Sequence, residues 1–136
     1  MGLAERRVIK AYQEGEYQNF LSEVKDVIGD EIEFDIDWDS LPNEKYTKSL
    51  EQGLTEIYFK PILNSFKVIA EDEMGKEAIR ESVKKIVIKD ENDNAYASKT
   101  YKFNDGVLIV DHCSYTNIGN TDERTKLLTK LLESNL

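Results

Sequence analysis

The sequence contains only one cysteine, two prolines and one histidine among its 136 residues. A single cysteine excludes an internal disulfide bond and favours a reducing compartment. With one histidine and one cysteine, a zinc site would need carboxylates as its remaining ligands, and no close spacing of such residues indicates one. We therefore predict that the protein holds no metal and no cofactor.

Long apolar runs are also missing. No stretch approaches the roughly 18 residues that a membrane-spanning helix needs. No positively charged start leads into an apolar signal region. We therefore expect a cytoplasmic protein that does not contact a membrane.

Basic residues are in the minority, with 18 Lys and Arg against 27 Asp and Glu, which gives a net charge of −9. Phosphate backbones repel such a chain, so we expect no direct binding to nucleic acid. Hydrophobic residues make up 40% of the chain, enough for a folded core. No repeat and no Pro/Gly/Ser-rich linker divides the sequence, which predicts a single domain over residues 1–136.

Apolar residues recur at helical spacing in several parts of the chain. The stripe that starts at Val8 and Tyr12 continues to Ile28, with Gly15 as a break and Gly29 as a left-handed stop. Further stripes predict helices in the middle and at the end. The predicted helices are Leu3–Ile28, one that follows Asn43 and kinks or restarts near Pro61, one over Gly75–Val83, and one capped by Thr121.

Four segments have strand character. Residues 31 to 39 alternate strictly between carboxylates and apolar residues, the pattern of a half-buried strand. Asp105 and Gly106 indicate a tight hairpin. The other strands are Ile86–Ile88, Tyr96–Phe103 and Val107–His112. We predict an α+β fold, an antiparallel sheet of about four strands with helices packed on it, in which the last strand is central and covered on both faces and the acidic strand is at an edge.

The acidic strand holds most of the net charge. Seven acids and no base lie between Gly29 and Glu44, which leaves 20 acids against 18 bases elsewhere. Side chains on one face of a strand are about 6.8 Å apart, so they form a ladder. The predicted ladder consists of Glu33, Asp35, Asp37 and Asp39, with Trp38 near its end.

Several interpretations of this ladder stay open. In one interpretation, the ladder is a solvated sheet edge whose charges discourage aggregation. In another, it is a docking surface for a basic protein partner. Lysines or arginines of the same chain could cover it, with Arg6 and Arg7 as candidates. A flat ladder cannot wrap a calcium ion with six to eight oxygens, so a calcium site is not favoured.

A second possible site is the sequence Asp111-His112-Cys113 at the end of the last strand. Adjacent strand residues face opposite ways, so His112 and Cys113 are poorly placed as a base and a nucleophile. The simpler interpretation is that Asp111 and His112 satisfy the loop nearby. The alternative is a small-ligand pocket or small active site bounded by Trp38, Asp111 and His112.

Five short stretches together resemble a family of small uncharacterised bacterial proteins, over nearly the whole chain. These stretches are Gly2–Arg7, Trp38–Leu41, Gly75–Ala78, Lys84–Ile88, and Gly106–Leu108 followed by Asp111-His112. The resemblance implies a bacterial-type intracellular domain. It supplies no catalytic residue, because no activity is assigned to that family.

These observations favour a non-enzymatic protein that binds a basic partner through Glu33, Asp35, Trp38, Asp37 and Asp39, as inhibitors of basic nucleases and toxin-neutralising proteins do. A small enzyme or ligand-binding domain with a pocket near Trp38, Asp111 and His112 is the alternative. A structural module that dimerises through its helix faces is a third possibility, since two acidic edge strands would repel each other.

Overall fold

The computed structural model describes all 136 residues, which form one domain of α-helices packed on a four-stranded sheet. No helix has both the length and the apolar character needed to cross a membrane. The helices are Leu3–Glu14 (α1), Glu16–Ile28 (α2), Leu50–Gly53 (α3), Lys60–Ile69 (α4), Glu73–Ser82 (α5) and Thr121–Glu133 (α6), and the strands are Glu33–Ile36 (β1), Lys85–Lys89 (β2), Tyr101–Asn104 (β3) and Val107–Asp111 (β4).

The first two helices follow the predicted pattern. The break at Gly15 is confirmed, since α1 ends one residue before it and α2 begins one residue after it. Gly29 ends α2 with φ of 75°, in the left-handed region that favours glycine. The prediction of a stop there is confirmed.

The middle helix changes its winding along its length. Asn43 caps it by accepting a hydrogen bond from the Lys45 amide, and a 3₁₀ stretch, Glu44–Ser49, leads into α3. A π-helical stretch, Leu54–Phe59, then joins α3 to α4, where Pro61 lies in the first turn. Because proline lacks an N–H, it fits best at the start of a new helical segment. The predicted kink or restart near Pro61 takes the form of a change from π to α winding within a continuous helix.

The sheet has the order β1-β2-β4-β3 and is mixed. β2 pairs with β1 and with β4 in parallel, and only β3 and β4 are antiparallel. The prediction of an antiparallel sheet is therefore wrong, although the α+β composition is confirmed. The long crossover through α3, α4 and α5 brings the chain back to the end of the sheet where β1 began, as parallel pairing requires.

The hairpin between β3 and β4 is confirmed. Asp105 and Gly106 have φ of 51° and 80°, the positive values that a two-residue hairpin turn of type I′ needs. β3 begins only at Tyr101, because Ala97–Lys99 form a short 3₁₀ turn rather than the start of the strand predicted from Tyr96.

The sheet buries one face only. Ile86, Ile88, Leu108 and Val110 are fully buried against the helices. The residues between them in β2 and β4 are half-buried. β4 is central, as expected, but the prediction that both of its faces are covered is wrong. We call the uncovered surface the open face; it comprises Glu33, Asp35, Lys85, Val87, Lys89, Lys102, Asn104, Val107, Ile109 and Asp111.

The last helix begins at Thr121, with Asn120 in the capping position. The prediction that Thr121 caps this helix is wrong. The Thr121 hydroxyl instead hydrogen-bonds to the carboxylate and the backbone carbonyl of Glu56. This contact ties the start of α6 to the π-helical stretch, and α6 then packs along α4 with Leu128 and Leu132 buried.

Candidate functional site

The acidic strand forms the outer edge of the sheet, as predicted, but it is shorter than the sequence pattern suggests. β1 ends at Ile36, and Trp38–Ser40 form a 3₁₀ turn. The alternation of exposure nevertheless continues into the turn, where Asp37 and Asp39 are exposed and Trp38 is half-buried. The four carboxylates that the sequence singled out are all exposed; we call Glu33, Asp35, Asp37 and Asp39 the acidic row.

A lysine of the neighbouring strand lies against half of this row. The Nζ atom of Lys85 is 3.6 Å from Glu33 Oε2 and 3.5 Å from Asp35 Oδ2. Arg6 and Arg7, which the sequence offered as covering residues, form no ion pair. Of the interpretations left open, cover by a basic residue of the same chain holds for the first two members of the row, with Lys85 in place of Arg6 or Arg7. Register explains the contact, since Lys85 is the direct partner of Glu33 in the parallel pair.

These ion pairs leave the carboxylates accessible. The side chains of Glu33 and Asp35 keep 66% and 63% of their surface exposed, a level at which an ion pair contributes little to stability. Asp37 and Asp39 form no ion pair at all. The row thus carries two unpaired charges and two that solvent or a partner can reach.

Trp38 lies at the end of the row, in an aromatic cluster rather than at the rim of a pocket. Its ring centroid is 5.1 Å from that of Tyr17, 5.9 Å from that of Phe59 and 6.4 Å from that of Tyr12. Trp38 is absent from the lining of the five main surface depressions. This residue therefore fixes the end of β1 to the helices.

Asp111 organises the turn that follows β2. Its Oδ1 atom accepts a hydrogen bond from the Glu91 amide at 2.9 Å, and its Oδ2 atom accepts one from Asn92 Nδ2 at 2.6 Å. Both carboxylate oxygens are thus engaged in holding the loop at Glu91 and Asn92. Asp111 faces the open side of the sheet and the next residue faces the core.

His112 is fully buried and lies on the opposite side of the sheet from Asp111. Its Nδ1 atom donates to the Cys113 carbonyl at 2.5 Å, and its Nε2 atom is 3.4 Å from Arg124 Nη2. Burial lowers the pKa of this imidazole, so it is neutral at pH 7 and accepts from the guanidinium. Trp38, Asp111 and His112 do not converge on one cavity, which is a correction to the alternative pocket proposed from the sequence.

The structure also contains a buried polar cluster that the sequence analysis missed. Arg124 is fully buried without a carboxylate partner, and its Nη2 atom donates to the Asn117 carbonyl at 2.6 Å. Its Nε and Nη1 atoms, and the hydroxyl of Tyr101, have no hydrogen-bond partner. A signal was present in the sequence, because Arg124 lies on the same stripe as Leu128 and Leu132 and therefore faces the core.

The largest surface depression is a groove of about 780 Å³ on the open face. It lies between β4 and the segment 91–100, at the carboxyl ends of β2 and β4, where parallel strands commonly present binding groups. Its charged lining is balanced, with Lys89, Lys99 and Lys102 against Glu91, Asp93 and Asp111. No group of three or more potential metal-ligating side chains occurs in the structure.

Asp90, at the end of β2, gives the fold a specific pH response. Burial is the main cause that raises the pKa of its carboxyl to about 6, and the charges of Asp93 and Asp111 add to it. A carboxyl with a raised pKa in the folded state binds a proton that the unfolded chain has released. Its contribution to stability is therefore full below pH 4 and is lost as the pH rises through 6.

We expect Asp90→Asn to raise the free energy of unfolding by about 1 kcal/mol at pH 8, after solvent screening is allowed for, and to change it little at pH 4. The amide oxygen can still accept from the Asp93 amide, as Asp90 Oδ1 does at 3.0 Å. Urea unfolding from pH 4 to pH 8 measures the difference, with Asp26→Asn, an exposed helix position, as the control. His112 titrates in the opposite sense in both chains and cancels in the comparison. An equal effect at both pH values would contradict the prediction.

No family model, no curated protein and no solved structure matches this chain.

Proposed function

We propose that this chain is a non-enzymatic protein-binding module that contacts a basic partner surface through its open face and the acidic row at its margin. One observation carries the proposal: the sheet presents three half-buried aliphatic side chains within a border of exposed charges, and no helix covers them. Those side chains are Val87, Val107 and Ile109. An apolar centre with a charged rim is the usual composition of a protein-binding surface.

The placement of the reactive side chains supports a binding role over catalysis. His112 and Cys113 are buried, the His112 imidazole donates to the Cys113 backbone carbonyl, and both oxygens of Asp111 hold a turn. A general base must reach the proton that it removes, and His112 has no exposed surface from which to do so. The buried thiol of Cys113 fits the proposed cytoplasmic location.

The acidic row supplies attraction at long range. Asp37 and Asp39 are unpaired, and Lys85 leaves Glu33 and Asp35 mostly exposed, so a basic partner could replace water around all four. Charges of this kind steer association and are screened by salt over about 8 to 10 Å. Inhibitors of basic nucleases are one class of protein that binds in this way.

The double variant Asp35→Asn with Asp37→Asn tests the proposal. We expect it to associate with the partner several-fold more slowly than the unchanged chain, with little change in dissociation, because rim charges act mainly on the association rate. Affinity capture from extract at low and high salt supplies the partner, and surface plasmon resonance then measures both rates.

The matched control is Glu77→Gln with Glu81→Gln, which removes the same charge from the exposed side of α5. Both double variants lower the net negative charge by two, so a general charge effect would slow them equally. A partner whose association is indifferent to the Asp35 and Asp37 changes, or equally sensitive to the control, would refute the acidic row as its binding site.

A further inference from the structure

The open face has a distribution of charge that reverses from one edge to the other. Strand register arranges its side chains in three rows that run across the sheet, from β1 to β3. The β1 edge carries Glu33 and Asp35, and the β3 edge carries Lys102 and Asn104. The rows are Glu33-Lys85-Val107-Asn104, then Asp35-Val87-Ile109-Lys102, then Lys89-Asp111 in β2 and β4.

From this arrangement we infer that the open face binds a second copy of the same chain, face to face, about a two-fold axis parallel to the strands. Such an axis, placed between the two sheets and midway between β2 and β4, keeps each row at its own height and reverses its order. β1 then lies over β3 of the second copy, and β2 over β4. Sheets packed in this way are about 10 Å apart and roughly aligned.

This two-fold rotation brings each row face to face with the same row of the second copy, in reversed order, so that charged groups meet opposite charges or amides and apolar groups meet apolar groups. In the second row, Asp35 faces Lys102 of the other copy, while Val87 faces Ile109. In the third row, Lys89 faces Asp111, but Lys89 is already paired with Glu91 and Asp111 already holds the loop of its own chain, so this pair adds little attraction. In the first row, Glu33 faces the amide of Asn104, and the aliphatic part of the Lys85 side chain covers Val107. Every pair occurs twice, since the contact is the same from both sides.

The other two-fold arrangement is disfavoured by the same charges. An axis perpendicular to the strands and level with the second row would lay β1 over β1, with Asp35 opposed to its own copy. It would also lay β3 over β3, with Lys102 opposed to Lys102. Like charges in direct opposition weaken association, so the sequence of these strands selects the first arrangement.

The size of the face sets the expected strength. Four strands about 4.8 Å apart and about five residues long span roughly 19 by 16 Å. That face buries about 600 Å² in total, half of the roughly 1,200 Å² at the lower end of stable complexes. We therefore expect a weak, reversible dimer that salt weakens further.

This inference rests on the proposed use of the open face for protein binding and names one partner for it. In the dimer, Lys102 of the second copy supplies the positive charge opposite Asp35. A heterologous basic partner would compete with the second copy for the same face.

Sedimentation equilibrium from about 5 to 500 µM at low salt tests the dimer. We expect the unchanged chain to dimerise, and Asp35→Lys and Lys102→Asp each to raise the dissociation constant at least about tenfold, because attraction becomes repulsion at two symmetric positions. An equimolar mixture of the two variant chains restores complementarity at both positions. We expect that mixture to form a heterodimer although each variant alone is monomeric, and circular dichroism confirms that each is folded.

Two outcomes would overturn the inference. One is an unchanged chain that stays monomeric at 500 µM. The other is a dimer that neither variant disrupts, which would place the contact elsewhere, for example on the helices. A monomer that still captures a basic partner in an Asp35- and Asp37-dependent way would overturn the dimer and leave the proposed function standing. If the equimolar mixture of the two variants dimerises but no basic protein is captured from extract, the inference is supported and the heterologous partner is refuted.

Discussion

Replacing Gly53 by alanine is expected to lower the free energy of unfolding by at least about 3 kcal/mol. A Cβ atom on this buried residue would lie 2.0 Å from the backbone oxygen of Ser114, far inside contact distance. Ser114 cannot move away easily, because its hydroxyl donates to the Leu41 carbonyl at 2.5 Å. Two residues earlier, the His112 carbonyl accepts from the hydroxyl of Tyr58, also at 2.5 Å.

Urea denaturation measures this loss as a lower midpoint at an unchanged m value. Gly119→Ala is the matched control, because nothing lies within 4 Å of the added Cβ atom and the backbone there does not have positive φ. We expect that variant to be as stable as the unchanged chain or slightly more stable. Equal stability of the two variants would show that the segment 112–114 does not lie against α3 as described.

The second large effect is expected at Arg124. Arg124→Ala should cost about 3 kcal/mol or more, because it removes a large, fully buried side chain and leaves a cavity beside His112. It also removes the donor to the carbonyls of Thr116 and Asn117, which hold the segment before α6. The same urea titration gives the difference.

Arg124→Met separates the volume of this side chain from its charge. Burial lowers the pKa of the guanidinium, and two of its nitrogens have no partner, so the charge itself is poorly compensated. We expect methionine, which keeps most of the volume, to cost less than half as much as alanine. If both variants lost the same stability, the hydrogen bonds to the loop, rather than packing, would account for the role of Arg124.

Local patterns in the sequence predicted the local structure well. The alternation from residue 31 to residue 39 reports which side chains face solvent, and that exposure follows the pattern even where the strand has ended. Gly15, Gly29 and the pair Asp105-Gly106 mark breaks and turns because each depends on conformations of one or two residues. Such features need no information from distant parts of the chain.

Features that depend on distant contacts were not predicted. The direction of β2 relative to β1 is decided by how three intervening helices return the chain, which hydrophobic spacing does not specify. The contact of Lys85 with the acidic row follows from that parallel register, so it could not be foreseen without it. The burial of Arg124 was readable from the sequence, because Arg124 lies four and eight residues before the buried Leu128 and Leu132.

The π-helical stretch Leu54–Phe59 acts as a one-residue insertion in an otherwise continuous helix. A regular α-helix turns by about 100° per residue, so an extra residue wound regularly would rotate everything that follows. The widened π turn takes up the extra residue instead, and α4 keeps the phase in which Ile62 and Phe66 are buried. If the same residues were wound as a regular α-helix, both side chains would rotate by about 100°, and the contact of α4 with α6 would have to be rebuilt around a different set of side chains.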